Sequence, residues 1–198
     1  LLEEYGNGFR VQRLPEIISP EKQRRVTGQE YVKMNQAQQA IANLFNPEQA
    51  PPDVALLFFA GHGYLQETGG GREVFLITSD TFRDAETQSL RNAIPLSWLQ
   101  KLLEKSPVQQ QIIWLDCCFS GELVNLAEEI KGEAQRDRCL MSASRSFEFS
   151  KEVGNHGVFT EILLEGLNPE NSEDGWVTNY TLAEFIKGKM LQPSQKPV

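Results

Sequence analysis

The chain has 198 residues, 40% of them hydrophobic, and a formal net charge of −8; that suits one α/β domain with a sizeable core and is too little for two ordinary ones. The acidic balance, with no Lys/Arg cluster to offer a phosphate footprint, argues against a nucleic-acid partner, and no apolar run approaches the roughly 18 residues of a membrane span. No signal-peptide pattern opens the chain, and three cysteines, two of them adjacent, do not make a disulfide framework, so a reducing cytoplasm is the expected compartment.

Leu1 to Gly6 reads as the last turns of a helix stopped by glycine, and Phe9 to Leu14 alternates apolar and polar as a half-buried edge strand does. Pro15 to Gly28 reads as polar loop. Thr27 and Glu30 are spaced as a capping box for a helix from Glu30 to Phe45, whose Tyr31, Met34, Ala37, Ile41 and Leu44 recur at helical spacing. Pro47, Pro51 and Pro52 lead into Val54 to Ala60, a fully apolar strand that runs straight into Gly61-His62-Gly63. Past the glycines at 69–71 comes a buried strand at Val74 to Thr78, and Thr81 to Asn92 reads as polar loop. Ser97 with Gln100 makes a second capping box for a short helix with Trp98, Leu99, Leu102 and Leu103 on its apolar face. Gln111 to Leu115 is a buried strand ending in Asp116-Cys117-Cys118-Phe119-Ser120-Gly121. A helix at Gly121 to Glu133 with Leu123, Leu126 and Ile130 inward, a charged stretch from Lys131 to Arg138, a strand at Cys139 to Ala143 and a loop from Ser144 to Asn155 come next. The chain closes with a helix at Val158 to Leu167, a loop, and a helix through Met190 capped by Thr181 and Glu184. This alternation predicts an α/β fold with a mostly parallel sheet covered on both faces.

Chemistry concentrates where two of these strands end. A thiol at the end of a parallel strand and the start of a helix meets unpaired amides and the positive end of the helix dipole, both of which favour the thiolate. In an open parallel sheet the carboxyl ends of the strands gather at one edge, so the strand ending at His62 and the strand ending at the two cysteines are expected to deliver base and nucleophile together. Two adjacent cysteines with neither a nearby His nor a second Cys pair do not make a zinc spacing, and no metal site is expected.

The turns Ala60-Gly61-His62-Gly63 and Asp116-Cys117-Cys118-Phe119-Ser120-Gly121 resemble the His and Cys motifs of the caspase-like cysteine peptidases, in the metacaspase and prokaryotic caspase-homologue (orthocaspase) branch. His62 precedes Cys118 by roughly 50 residues, as in caspases. Cys139 to Ser144 and His156 to Thr160 are similar to the start of the family's small-subunit region, so the resemblance spans nearly the whole chain. It implies a single three-layer α/β/α caspase-like catalytic domain over 1–198, with 1–135 large-subunit-like and 136–198 small-subunit-like. The family's first and last strands are not found in this sequence, and the chain reads as a segment of a longer protein that carries regulatory domains.

Aligned residue by residue, the resemblance makes Cys118 the nucleophile rather than Cys117, with His62 as its partner in a dyad, no third member, and no cofactor. Backbone amides of Gly63 and Cys118 are the expected oxyanion donors. Asp116, two residues before the nucleophile, is expected to bind the substrate side chain, with Ala60 and Ser142 beside it; a carboxylate there suits Arg or Lys. The expected partner is therefore a protein or peptide cut after a basic residue. Metacaspase relatives often use calcium, for which Asp80, Asp84 and Glu86 are available without a ligand spacing that stands out. Lys131, Arg136 and Arg138 lie where self-cleavage would separate the two halves. Cys117 and Cys139 are expected in the core, and His156 is expected to order a loop. The rival to a peptidase is a catalytically silent caspase-like scaffold that binds partners in a signalling assembly, and another thiol acyl-transfer enzyme could use the same fold.

Overall fold

The computed structural model describes residues 8–18, 24–25, 31–68, 71–117, 137–143, 152–153, 156–171 and 175–191. Its centre is a parallel sheet of β3 (Val54–Ala60), β7 (Gln110–Asp116) and β8 (Asp137–Ser142), with β7 in the middle. Gln111 to Asp116 are all buried, as a central strand covered on both faces requires. Strand pairing fixes the faces. Ala55, Ile113, Leu115 and Cys117 pack with Leu57, Phe59 and Leu140 in one core. That core is closed by α1 (Met34–Phe45) through Ala37, Ile41 and Phe45, and by α2 (Leu96–Lys105) through Leu96, Leu99 and Leu103. On the opposite face Ile112, Trp114 and Met141 meet α3 (Val158–Gly166) through Phe159 and Leu163, and α4 (Asn179–Leu191) through Leu182 and Ile186. Each helix supplies apolar residues three or four apart, so a single stripe is buried on each side. The result is the expected three-layer α/β/α arrangement.

A second sheet departs from expectation. β4 (Gly63–Thr68), β5 (Gly71–Arg83) and β6 (Leu90–Pro95) pair antiparallel, with a register shift between Ile77 and Phe82. The strand expected at Val74 to Thr78 therefore belongs to a meander rather than to the parallel sheet, and much of the loop expected at Thr81 to Asn92 is strand. The polar residues there face a network instead of a core: the Thr78 and Thr81 hydroxyls donate to the Asn92 carbonyl at 2.7 and 2.6 Å.

Phe9 to Leu14 forms no strand; the side chains alternate in exposure, but alternation reports a half-buried surface and not a ladder partner. A two-residue pair, β1 (Ile17–Ile18) with β2 (Arg24–Arg25), lies in the stretch expected to be loop, and β9 (Glu152–Val153) with β10 (His156–Gly157) lies at the end of another. β8 starts two residues earlier than expected and takes in Arg138. The helix expected at Gly121 to Glu133 and the capping pair Thr27 and Glu30 fall outside the described residues, as do Lys131 and Arg136.

Helix starts are capped from a distance. α1 begins at Met34, not Glu30, and its Met34 N–H donates to Asp80 Oδ1 at 2.8 Å. α2 has no cap from its own sequence; Ser97 instead donates from its amide and hydroxyl to the two Glu73 carboxylate oxygens, at 3.2 and 2.7 Å. By contrast α4 caps locally, through Thr178 with Thr181 rather than Thr181 with Glu184: Thr181 N donates to Thr178 Oγ1 and Thr178 N to Thr181 Oγ1. Carboxylates at helix amino ends satisfy orphan amides and complement the dipole.

Candidate active site at the carboxyl edge of the parallel sheet

β3 and β7 run in parallel register from Val54 opposite Gln110 to Ala60 opposite Asp116. The ladder then closes with Gly61 N donating to Asp116 O at 3.1 Å. The His-bearing turn and the Cys-bearing turn therefore leave the sheet from the same level of adjacent strands, which lie about 4.8 Å apart. His62 is exposed, and its carbonyl accepts from Ile77 N at 2.9 Å, so its backbone is held between the parallel sheet and β5. A Cβ at Gly61 would sit 3.0 Å from Phe59 Cζ, so a larger residue there would press on the Phe59 ring.

That Ile77 bond has a consequence for Gly63. Hydrogen-bonded and non-hydrogen-bonded pairs alternate along an antiparallel ladder. Ile77 faces His62 in a bonded pair, so Gly63 opposite Leu76 is in a non-bonded one, and its N–H points away from β5.

Asp116 is 6% exposed, on the sheet face that carries Trp114, Met141 and α3. Its Oδ2 accepts two hydrogen bonds from Thr160 in the first turn of α3, one from the amide at 3.2 Å and a short one from the hydroxyl. Ala60 shares the face and the register level of Asp116 and is exposed. Ser142 is paired with Leu115, so it falls on the other face and is not brought to Asp116. Cys118 lies outside the described residues. Cys117, just before it, is fully buried in the core on the α1 and α2 side, in keeping with the structural role expected of it. Cys139 is half-buried against the other core, where burial, and then the Asp137 charge, push its thiol up.

Of the acidic residues considered for calcium, Asp80 and Asp84 are otherwise engaged. The Asp80 carboxyl is held below its usual range chiefly by the Met34 amide it caps. Asp84 Oδ1 accepts from the Thr87 and Glu86 amides and the Thr87 hydroxyl, its Oδ2 pairs with Arg91, and the Thr87 amide is the leading cause that lowers its carboxyl. Glu86 is exposed. Among the described residues no group of three His, Cys, Asp or Glu could hold a metal ion. Arg138, considered for self-cleavage, sits in β8 and donates from Nε to Gln111 Oε1 at 2.8 Å.

Sequence reasoning missed Thr160. Its partner lies 44 positions away, and no local spacing marks the pair. The only trace is that Thr160 occupies the first turn of a helix with no Ser, Thr, Asp or Asn directly before it.

Among the described residues no helix is long and apolar enough to cross a membrane. No curated protein matches the chain. The family model for the caspase domain of the C14 peptidases matches residues 1–196. With a match of that extent over a three-layer fold whose parallel edge carries the His and Cys turns, this chain belongs to the caspase-domain family of cysteine peptidases.

Proposed function

We propose that the chain is a cysteine endopeptidase of the metacaspase or orthocaspase type that cleaves after Arg or Lys through Cys118 and His62. The observation that carries this reading is the parallel pairing of Ala60 with Asp116: His62 and Cys118 each follow a paired residue by two positions at one sheet edge. The burial of Cys117 favours Cys118 over the only adjacent thiol.

In this reading Cys118 Sγ attacks the scissile carbonyl as His62 takes the thiol proton. The oxyanion accepts hydrogen bonds from the Gly63 and Cys118 amides, a role the outward Gly63 N–H suits. His62 then gives its proton to the leaving amine as the C–N bond breaks, leaving a thioester. Water, deprotonated by His62, hydrolyses that thioester, and the proton returns to Cys118. No cofactor takes part. Asp116, buried with Ala60 exposed beside it, supplies the negative charge for the substrate's cationic side chain. Cys117 and Cys139 form no disulfide, which fits a reducing cytoplasm.

The test is hydrolysis of fluorogenic peptides ending in Arg, Lys or Asp. Turnover of Arg or Lys peptides is expected, abolished in Cys118→Ala and reduced at least about thirtyfold in Asp116→Asn, since a charged hydrogen-bonded pair lost in a buried site costs about 2 kcal/mol or more. Preference for Asp peptides would overturn the specificity, and no turnover of any peptide would favour the silent scaffold.

A further inference from the structure

The geometry points to Thr160 as the positioning residue that turns Asp116 into a one-oxygen anchor for the substrate's cation. This inference rests on the reading of Asp116 as the specificity carboxylate and adds to it the group that orients it. Asp116 could have used both oxygens symmetrically. Instead the Thr160 amide and hydroxyl both donate to Oδ2, while Oδ1 accepts no hydrogen bond from a described residue. Two donors on one oxygen fix the rotation of the carboxylate group, so Oδ1 has one direction. Thr160 holds the third position of α3, where the amide has no partner within the helix and the dipole is positive, so the clamp also stabilises the charge of a carboxylate that is 6% exposed. Burial of a carboxylate is costly unless donors meet it. Thr160 meets half of that demand, and the incoming ammonium or guanidinium meets the rest.

The asymmetry has a consequence for specificity. A guanidinium prefers a fork contact with both oxygens of a carboxylate, whereas an ammonium is a point charge satisfied by one. With Oδ2 already holding two donors, Arg can place only one of its nitrogens on Oδ1. Thr160 therefore narrows the advantage that Arg would otherwise hold over Lys at this carboxylate.

The experiment compares wild type, Thr160→Val, Thr160→Ser and Asp116→Asn on peptides ending in Arg, Lys or Gln, reading kcat and KM separately. Thr160→Val keeps the shape and the amide bond but loses the hydroxyl. It is expected to raise KM for the Lys peptide about tenfold, the weight of one hydrogen bond to a charged group. It should raise KM for the Arg peptide less, with kcat within about twofold for both and no change for the Gln peptide. Thr160→Ser, which restores a hydroxyl, should return KM to the wild-type value. Equal losses on all three peptides, or a failure of Thr160→Ser to restore KM, would overturn the positioning role and leave Thr160 a purely structural tie. If Asp116→Asn itself leaves the basic peptides unaffected, the carboxylate reading falls, which is a separate outcome from a failure of Thr160.

Discussion

Three consecutive glutamines precede the apolar run of β7, and only the third is buried: Gln111 is fully enclosed, while Gln109 and Gln110 are exposed. Gln111 Nε2 donates to the carbonyls of Leu103, at 3.1 Å, and Val108, at 3.2 Å, and Oε1 accepts from Arg138 Nε at 2.8 Å; Arg138 Nη2 donates to the same Leu103 carbonyl. The side chain thus joins the end of α2 to β7 and β8. Gln111→Leu keeps the volume and removes every one of these bonds. Leu103 O keeps a donor, but Val108 O and Arg138 Nε each lose one, and a buried polar group left without a partner costs about 1–3 kcal/mol, partly offset by the added apolar burial. The expected loss is about 2–4 kcal/mol, or a fall in Tm of about 5–15 °C for a domain of this size. Gln110→Leu should shift stability by less than about 0.5 kcal/mol. Adding Arg138→Met to Gln111→Leu should not recover the loss, because it also takes away the remaining donor to the Leu103 carbonyl. The site lies at the other end of the strand, roughly 16 Å away, so kcat per folded molecule should hold. Thermal melts with activity normalised to the folded fraction read both quantities. Equal Tm shifts for Gln111→Leu and Gln110→Leu would refute the network as a structural tie.

Two further outcomes follow from local geometry. The Asp80 carboxyl titrates below its ordinary value of 3.8 in the folded chain, so its charge favours the native state above that value and the contribution drains away as pH falls through the lower folded value. Asp80→Asn should therefore lower Tm at pH 7, with the gap to wild type closing as pH falls below 3.8 and through the lower folded value; a gap that persists unchanged in acid would show that the α1 cap does not depend on charge. At Gly166, a Cβ would lie 2.8 Å from both Leu182 Cδ1 and Phe185 Cδ1. Helix propensity favours Gly166→Ala by about 1 kcal/mol, yet overpacking costs about 1–3 kcal/mol, so a net loss in chemical denaturation is expected, and a gain would mean that α3 and α4 separate easily.

The parts of the fold set by burial on a regular period were legible from residue order. Val54 to Ala60 and Gln111 to Leu115 are apolar because they are covered on both faces, and their ends marked the two motif turns. Helices α1 and α2 were visible in their apolar stripes, and α3 and α4 were placed in the chain, all to within about a turn at the ends. What was hidden depends on partners distant in sequence. Asp80, Glu73 and Asp116 each cap a helix they are not next to, so the local capping box at Ser97 was misplaced, while at α4 the cap is local but pairs Thr181 with Thr178 instead of Glu184. Val74 to Thr78 looks like a parallel strand because burial does not encode direction, and its antiparallel pairing depends on the hairpin with β4. Ser142 was expected beside Asp116, but the strand's two-residue period turns it to the other face. Asp116 was singled out for its place before the thiol; that Thr160 would hold one of its oxygens was not readable at any spacing.

The central claim is that Cys118, activated beside His62, is the nucleophile. Its most direct test is labelling of the folded chain with a peptidyl chloromethyl ketone ending in Arg, followed by mass spectrometry of the digested protein. The account predicts one label, on Cys118, lost in His62→Ala and blocked by a basic peptide aldehyde, with buried Cys117 and half-buried Cys139 untouched. A label on Cys117 or Cys139, or one on Cys118 at the same rate in His62→Ala, would contradict it.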